Sequence, residues 1–340
     1  MKALLSSPRS LRRSECVSSS AQAFYPEDPL IQCGTVFGGH VKANLSKEDS
    51  KRYCRQVIAF GREGQSKIEK TCVGIVGLGG IGSVVAQMLA YIGVQRYVLV
   101  DDDLVEMSNL NRLVGAVIED AEKQVPKVAV TSRLIKSILP NPTIETCQSN
   151  LRSPEVLLTL SKEPNYLFGC VDNDGARLIL TELAAAYELP LIDCGTGIIM
   201  KNDHVSDFGG HVVVATPGDF CLLCANEINL NIAKAELESP EEKRDRVAHG
   251  YGLCENEPAP SVISLNSLVA SLAVTEFMML ATGMRPPLRK LTYHGLRGIV
   301  THSKDESRSD CYICKSVAGK RDTANIHRYS HVGLPKDLPF

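Results

Sequence analysis

The sequence predicts an α/β chain: a doubly wound, mostly parallel sheet carrying an added antiparallel region. Three observations predict it. Short β-branched runs alternate with helical stretches between residues 71 and 200. A glycine turn links the first such run to the first such helix. After Gly210 the alternation gives way to a valine-rich strand, a polar helical stretch and one long apolar helix.

The elements follow in order. Residues 1–45 read as an extended or disordered tail, with Arg9, Arg12 and Arg13 among serines. A transit peptide, suggested by the basic, Ser-rich and acid-free first fourteen residues, and a partner-docking arm are the alternatives. Residues 46–71 read as helix, with Ser46 as cap and Glu48 and Asp49 in the first turn. Cys72–Val76 is a short buried strand, Ser83–Gly93 a helix, and Tyr97–Val100 a second strand ending at Asp101. Lys127–Leu139 reads as helix, stopped by Pro140 and Pro142. Tyr166–Val171 reads as strand, Gly175–Tyr187 as helix and Leu191–Asp193 as strand. His211 opens a strand running to Ala215, residues 226–250 are helical in composition, and Ser261–Thr282 is a long apolar helix.

Composition narrows the function. Of 340 residues, 44% are hydrophobic and 22% charged, which suits a globular enzyme with a real core. A formal charge of −2 provides no global field for nucleic acid or an anionic membrane. No apolar run is expected to reach the ~20 residues of a membrane-spanning helix. Twelve cysteines without a signal peptide point to a reducing, cytoplasmic setting with a metal site. Four of them form the pairs Cys221/Cys224 and Cys311/Cys314. Each pair suits half of a tetrahedral Zn²⁺ site, although about ninety residues of separation do not by themselves join them.

Gly77, Gly79 and Gly82 form a Gly-x-Gly-x-x-Gly turn after a strand and before a helix. Such a turn lets backbone amides approach phosphates at a helix N-terminus. Asp101, at the end of the next strand, is placed to accept ribose hydroxyls. Alone, these residues say "nucleotide", and a nicotinamide-dependent dehydrogenase would come first.

Further motifs change that reading. Asp101 is followed by the run Ser108-Asn109-Leu110-Asn111-Arg112, then by Lys127 at a helix start, then by Asp172-Asn173 with Arg177. Over residues 48–315 the chain resembles the adenylating fold shared by ubiquitin-activating enzymes and the bacterial activators of sulfur carriers, the ThiF–MoeB–HesA group. The resemblance implies a Rossmann-like domain that uses ATP and Mg²⁺ to adenylate the C-terminal carboxylate of a ubiquitin-like or sulfur-carrier protein ending in Gly-Gly. It implies that Asp101 holds ribose, that Asn109, Arg112 and Lys127 hold the triphosphate, and that Asp172 positions Mg²⁺. Asp103 and Glu106 read equally well as solvated loop acids. Arg55, in Arg52-Tyr53-Cys54-Arg55-Gln56, resembles an arginine that reaches a homodimer partner's ATP site.

The implied domain spans residues 46–318: a helical lead-in (46–70), a nucleotide-binding half (71–200), and a crossover and zinc-bearing half (201–318). Residues 319–340 form a C-terminal tail. Many bacterial members carry paired cysteines at similar places, which makes Cys221, Cys224, Cys311 and Cys314 a closed, structural zinc set. Cys254 is the candidate for accepting the acyl group as a thioester; an incidental loop cysteine is the alternative, and Glu255 and Glu257 would raise its pKa. Cys170 and Cys194 read as core, and His211 and His249 as solvated. The sequence does not decide between a conjugating enzyme, a sulfurtransferase and no further acceptor for the activated acyl group. A tRNA-modifying dehydratase of the same fold and a non-catalytic relative remain as rivals.

Overall fold

The computed structural model describes residues 49–202, 204–248 and 260–331, with side chains omitted at 49–50 and 245–248. The expected N-terminal tail, the Ser46 cap, His249 and Cys254 lie outside these residues. The chain opens with α1 (Asp49–Arg52) and α2 (Cys54–Lys70). Gly61 takes φ +75° inside α2 and kinks it.

The first half alternates strand and helix. It runs β1 (Cys72–Val76), α3 (Gly82–Ile92), β2 (Arg96–Val100), α4 (Ile118–Glu122), α5 (Lys127–Ile138), β3 (Thr143–Cys147), α6 (Pro154–Lys162), β4 (Tyr166–Gly169) and α7 (Asp174–Ala186). Next come β5 (Leu191–Lys201), β6 (His204–Ala215), α8 (Leu230–Leu237), α9 (Pro240–Ala248), α10 (Ile263–Thr282), β7 (Lys290–His294) and β8 (Ile299–His302). The eight strands among the described residues form one sheet in the order β3-β2-β1-β4-β5-β6-β7-β8. The first five are mutually parallel, and β6, β7 and β8 are antiparallel to their neighbours.

β1 is buried at every position because helices cover both of its faces. Val73 and Ile75 point into a core shared with α3, α5 and α10, whereas Cys72 and Val76 point into one shared with α6 and α7. The strand order reverses between β1 and β4, where ligands bind in open α/β sheets.

Several differences from the sequence reading have physical causes. β5 does not end at Asp193, and His211 sits inside β6 rather than opening it. Glycines within this β5–β6 hairpin allow close packing: a Cβ on Gly210 would lie 2.5 Å from Val269 Cγ2. β3 went unread because it is half-exposed and short. β7 and β8 pair only with late antiparallel neighbours and lack a buried apolar run.

α10 corrects the membrane expectation: it is 20 residues long and apolar enough to span a bilayer. Its acid, Glu276, is 1% exposed and accepts two hydrogen bonds from Arg285, at 3.0 and 2.6 Å. The helix packs on α2, α3, β5 and β6 as a core element.

The segment expected as a C-terminal tail folds back onto the domain as far as it is described. Ile326 and Tyr329 are buried in the core that contains α6 and α7. Arg328 donates to the fully buried Glu182 on α7, which also accepts the Tyr312 hydroxyl at 2.7 Å.

Candidate functional site

The carboxyl ends of the parallel strands open into a cavity of about 1330 Å³. Gly77 follows β1 with φ +85°, and a Cβ there would meet the Cys170 carbonyl oxygen at 2.5 Å. A Cβ on Gly82 would lie 1.9 Å from the Gly77 oxygen, so this glycine closes the turn against α3 and is off the cavity wall. Gly79 faces open space on that wall.

Asp101 ends β2 beneath this turn and is 9% exposed. One carboxylate oxygen accepts the Leu78 N–H at 2.6 Å, and the other accepts the Asp103 N–H at 2.9 Å. Burial pushes its carboxyl above the ordinary range, while those N–H groups and the Lys127 charge pull it down.

Lys127 starts α5 and its Nζ lies 2.6 Å from Asp103 Oδ2. The Lys127 side chain is only 12% exposed, and the Asp103 side chain is 66% exposed. Arg112 Nη1 donates to the Ser108 carbonyl at 2.6 Å and to Asn111 Oδ1 at 3.1 Å. Arg112, Lys127, Asp101 and Asp172 all line the cavity.

Asn109 does not line it. Its Oδ1 accepts the Glu106 N–H at 3.1 Å and caps the short 3₁₀ turn that carries Ser108 and leads into Arg112. Arg55 is exposed on α2, outside its own chain's cavity.

The far side of the cavity holds a group of ionisable side chains whose association the sequence reading missed. Arg177 Nε lies 3.4 Å from Asp193 Oδ2, as does His211 Nε2. His211 Nδ1 lies 3.2 Å from Glu227, and Lys290 Nζ lies 2.7 Å from the other oxygen of Glu227. Asp193 is fully buried and His211 only 17% exposed, so this histidine is not solvated as expected. The available signal was an aspartate inside an otherwise apolar strand, Leu191-Ile192-Asp193.

On the α7 side of the sheet, the two cysteine pairs meet. Sγ–Sγ distances are 3.7 Å for Cys221–Cys224, 3.5 Å for Cys221–Cys311 and 3.8 Å for Cys224–Cys314. Four sulfurs at about 2.3 Å from a tetrahedral Zn²⁺ would lie ~3.8 Å apart, and a disulfide would need ~2.05 Å. The Arg308 N–H also points at Cys224 Sγ, at 3.4 Å, as amides do toward metal-bound thiolates. The four residues fit a closed zinc site.

Residues 53–313 match the ThiF family. The chain belongs to that family. It is 31% identical over 175 residues to the sulfur carrier protein ThiS adenylyltransferase of Escherichia coli, a match covering 51% of this chain and 65% of that one. It is 32% identical over 169 residues to the adenylyltransferase and sulfurtransferase MOCS3 of Drosophila sechellia, covering 49% and 36%. The matched region thus spans less than two thirds of either relative. Among solved structures, E. coli MccB with AMPCPP and MccA has a TM-score of 0.60 at 20% identity, over 80% of this chain and 75% of that one, which is a likeness of fold.

Proposed function

We propose that this ThiF-family chain adenylates the C-terminal carboxylate of a small carrier protein, using ATP. One observation carries the reading: the Gly77–Gly80 turn, Asp101, Arg112, Lys127 and Asp172 border a single cavity at the switch point of the sheet. In that reading Asp101 accepts the ribose hydroxyls while its other lone pairs stay on Leu78 and Asp103. Lys127 and Arg112 neutralise the phosphates, and Asn109 acts by holding the turn that presents Arg112. Asp172, exposed at the end of the β4 loop, would hold Mg²⁺, which draws charge off the phosphates when bound. The carrier carboxylate attacks the α-phosphorus and pyrophosphate leaves.

The cavity exceeds the ~300–1,000 Å³ that suits one small ligand, which supports two reactants meeting in it. A carrier tail ending in Gly-Gly fits the glycine-lined half formed by Gly195, Gly197, Gly209 and Gly210. Arg55 would serve the partner subunit of a homodimer. Ile58, one turn along and 85% exposed, supplies apolar surface for that contact. Cys221, Cys224, Cys311 and Cys314 would hold a structural Zn²⁺, which requires thiolates and so a reducing, cytoplasmic setting. Cys254 would accept the acyl group if transfer to a conjugating enzyme or sulfurtransferase follows.

The test is ATP–pyrophosphate exchange, screened against small carrier proteins ending in Gly-Gly. Exchange that requires both Mg²⁺ and one such carrier supports the reading. NADH binding without ATP binding would replace it with a dehydrogenase.

A further inference from the structure

The glycine turn contains one glycine that the motif does not demand. Gly80 occupies a free position of Gly-x-Gly-x-x-Gly, yet a Cβ there would lie 2.2 Å from Asn266 Nδ2. On its other side, the same Cβ would lie 3.4 Å from Arg112 Cδ. Gly80 therefore leaves room for an amide from α10 and a guanidinium stem to converge on the turn.

Asn266 is held in one orientation. Its Oδ1 accepts the Thr196 hydroxyl from β5 at 3.1 Å, which directs Nδ2 toward Ser261 and Gly80. Nδ2 carries two hydrogens, and Ser261 Oγ takes one at 3.1 Å. The second has no acceptor among the described residues. The side chain is 1% exposed, yet Asn266, Thr196, Ser261, Gly80 and Arg112 all border the cavity. A buried amide hydrogen left without a partner beside a phosphate-type turn calls for an anionic acceptor.

We infer that Asn266 is a nucleotide-contacting residue: its free N–H donates to a phosphoryl oxygen of ATP seated over Gly80, an oxygen shared with Arg112. The inference rests on the ATP reading of the same cavity. Thr196 is a positioning residue, because its hydroxyl keeps the donor rather than the carbonyl facing the phosphate.

Calorimetry with Mg-ATP on the full chain tests this, with adenosine followed by saturation-transfer NMR as the phosphate-free control. Asn266→Asp keeps the shape and replaces the donor by a carboxylate. It should raise the ATP dissociation constant about tenfold or more and leave adenosine binding unchanged. If that variant does not fold, Thr196→Val decides, with an expected rise of about threefold for ATP alone. Unchanged ATP affinity in the deciding variant overturns the inference, as does an equal loss for ATP and adenosine, which would make Asn266 a scaffold residue. A wild-type chain that binds no ATP refutes the nucleotide reading itself, a separate outcome.

Discussion

Replacing Arg328 by methionine tests how the C-terminal residues are held. Glu182 is fully buried in α7, and its two oxygens are taken by Arg328 and by the Tyr312 hydroxyl. Removing the arginine leaves a buried carboxylate facing only neutral hydroxyls, those of Tyr312 and Tyr329, and breaking such a pair from one side destabilises by about 3–5 kcal/mol. At about 2 °C per kcal/mol for a domain of this size, Arg328→Met should melt ~6–10 °C below wild type. The double variant Glu182→Leu with Arg328→Met removes both charges and should recover most of the loss.

The pH dependence has a definite sign. Burial holds the Glu182 carboxyl above its ordinary range, against the pull of Arg328 and Tyr312. The folded state therefore keeps the proton longer than the unfolded state. Stability is greatest below the unfolded value and falls as pH rises through the folded one. Without Arg328 the folded value rises further, so the deficit should shrink between pH 7 and pH 5, by up to about 1.4 kcal/mol per pH unit. Differential scanning calorimetry at those two pH values is the assay. Melting within 2 °C of wild type at pH 7, or a double variant as unstable as the single one, would refute the reasoning.

Three further predictions concern the proposed site. Purified chain should contain about one zinc by mass spectrometry, and Cys311→Ser should lose it and melt lower; a zinc-free, fully folded wild type would sink the four-cysteine assignment. Lys127→Ala should weaken ATP binding at least tenfold by calorimetry, yet change stability by under about 1 kcal/mol, because its partner Asp103 is 66% exposed. Arg55→Ala should lose pyrophosphate exchange with an unaltered melt. Mixing it with Lys127→Ala chains should restore part of the exchange, since hybrid dimers rebuild one complete site; a mixture that stays inactive rules out the trans arginine.

What was legible in the sequence follows from what burial demands locally. β1, β2 and β4 are covered on both faces, so their apolar runs announce themselves, and Gly77 and Asp101 fall at the ends of two of them. The paired cysteines were legible as pairs, but only the fold brings Cys221 within 3.5 Å of Cys311. α6 had its signals, with Ser153 as N-cap residue and Pro154 at the first position, yet no element was assigned between Pro142 and Tyr166. Asn266 was visible only as a polar residue in the early turns of an apolar helix. Its meaning depends on Gly80, almost two hundred residues away, and no local pattern encodes that contact.

The hairpin of β5 and β6 shows why local propensity failed where the chemistry is densest. Glycine reads as a strand breaker because it adds no packing and loses much entropy on folding. Here it makes room for ions. A Cβ on Gly195 would lie 2.5 Å from His211 Cε1 and 2.9 Å from Arg177 Nη2, so any other residue would push apart the pairs on Asp193. Ionisable side chains run in sequence from Arg177 through Asp193, His211 and Glu227 to Lys290, and deleting one member strands its neighbour in a poorly solvated place. An apolar floor would be simpler to stabilise. Retaining five ionisable groups there makes sense if their fixed fields act on a reactant in the cavity, since dipoles and charges held in place before the reaction need no reorganisation during it. The glycines that hid these strands from the sequence reading are thus part of what holds the ions in position.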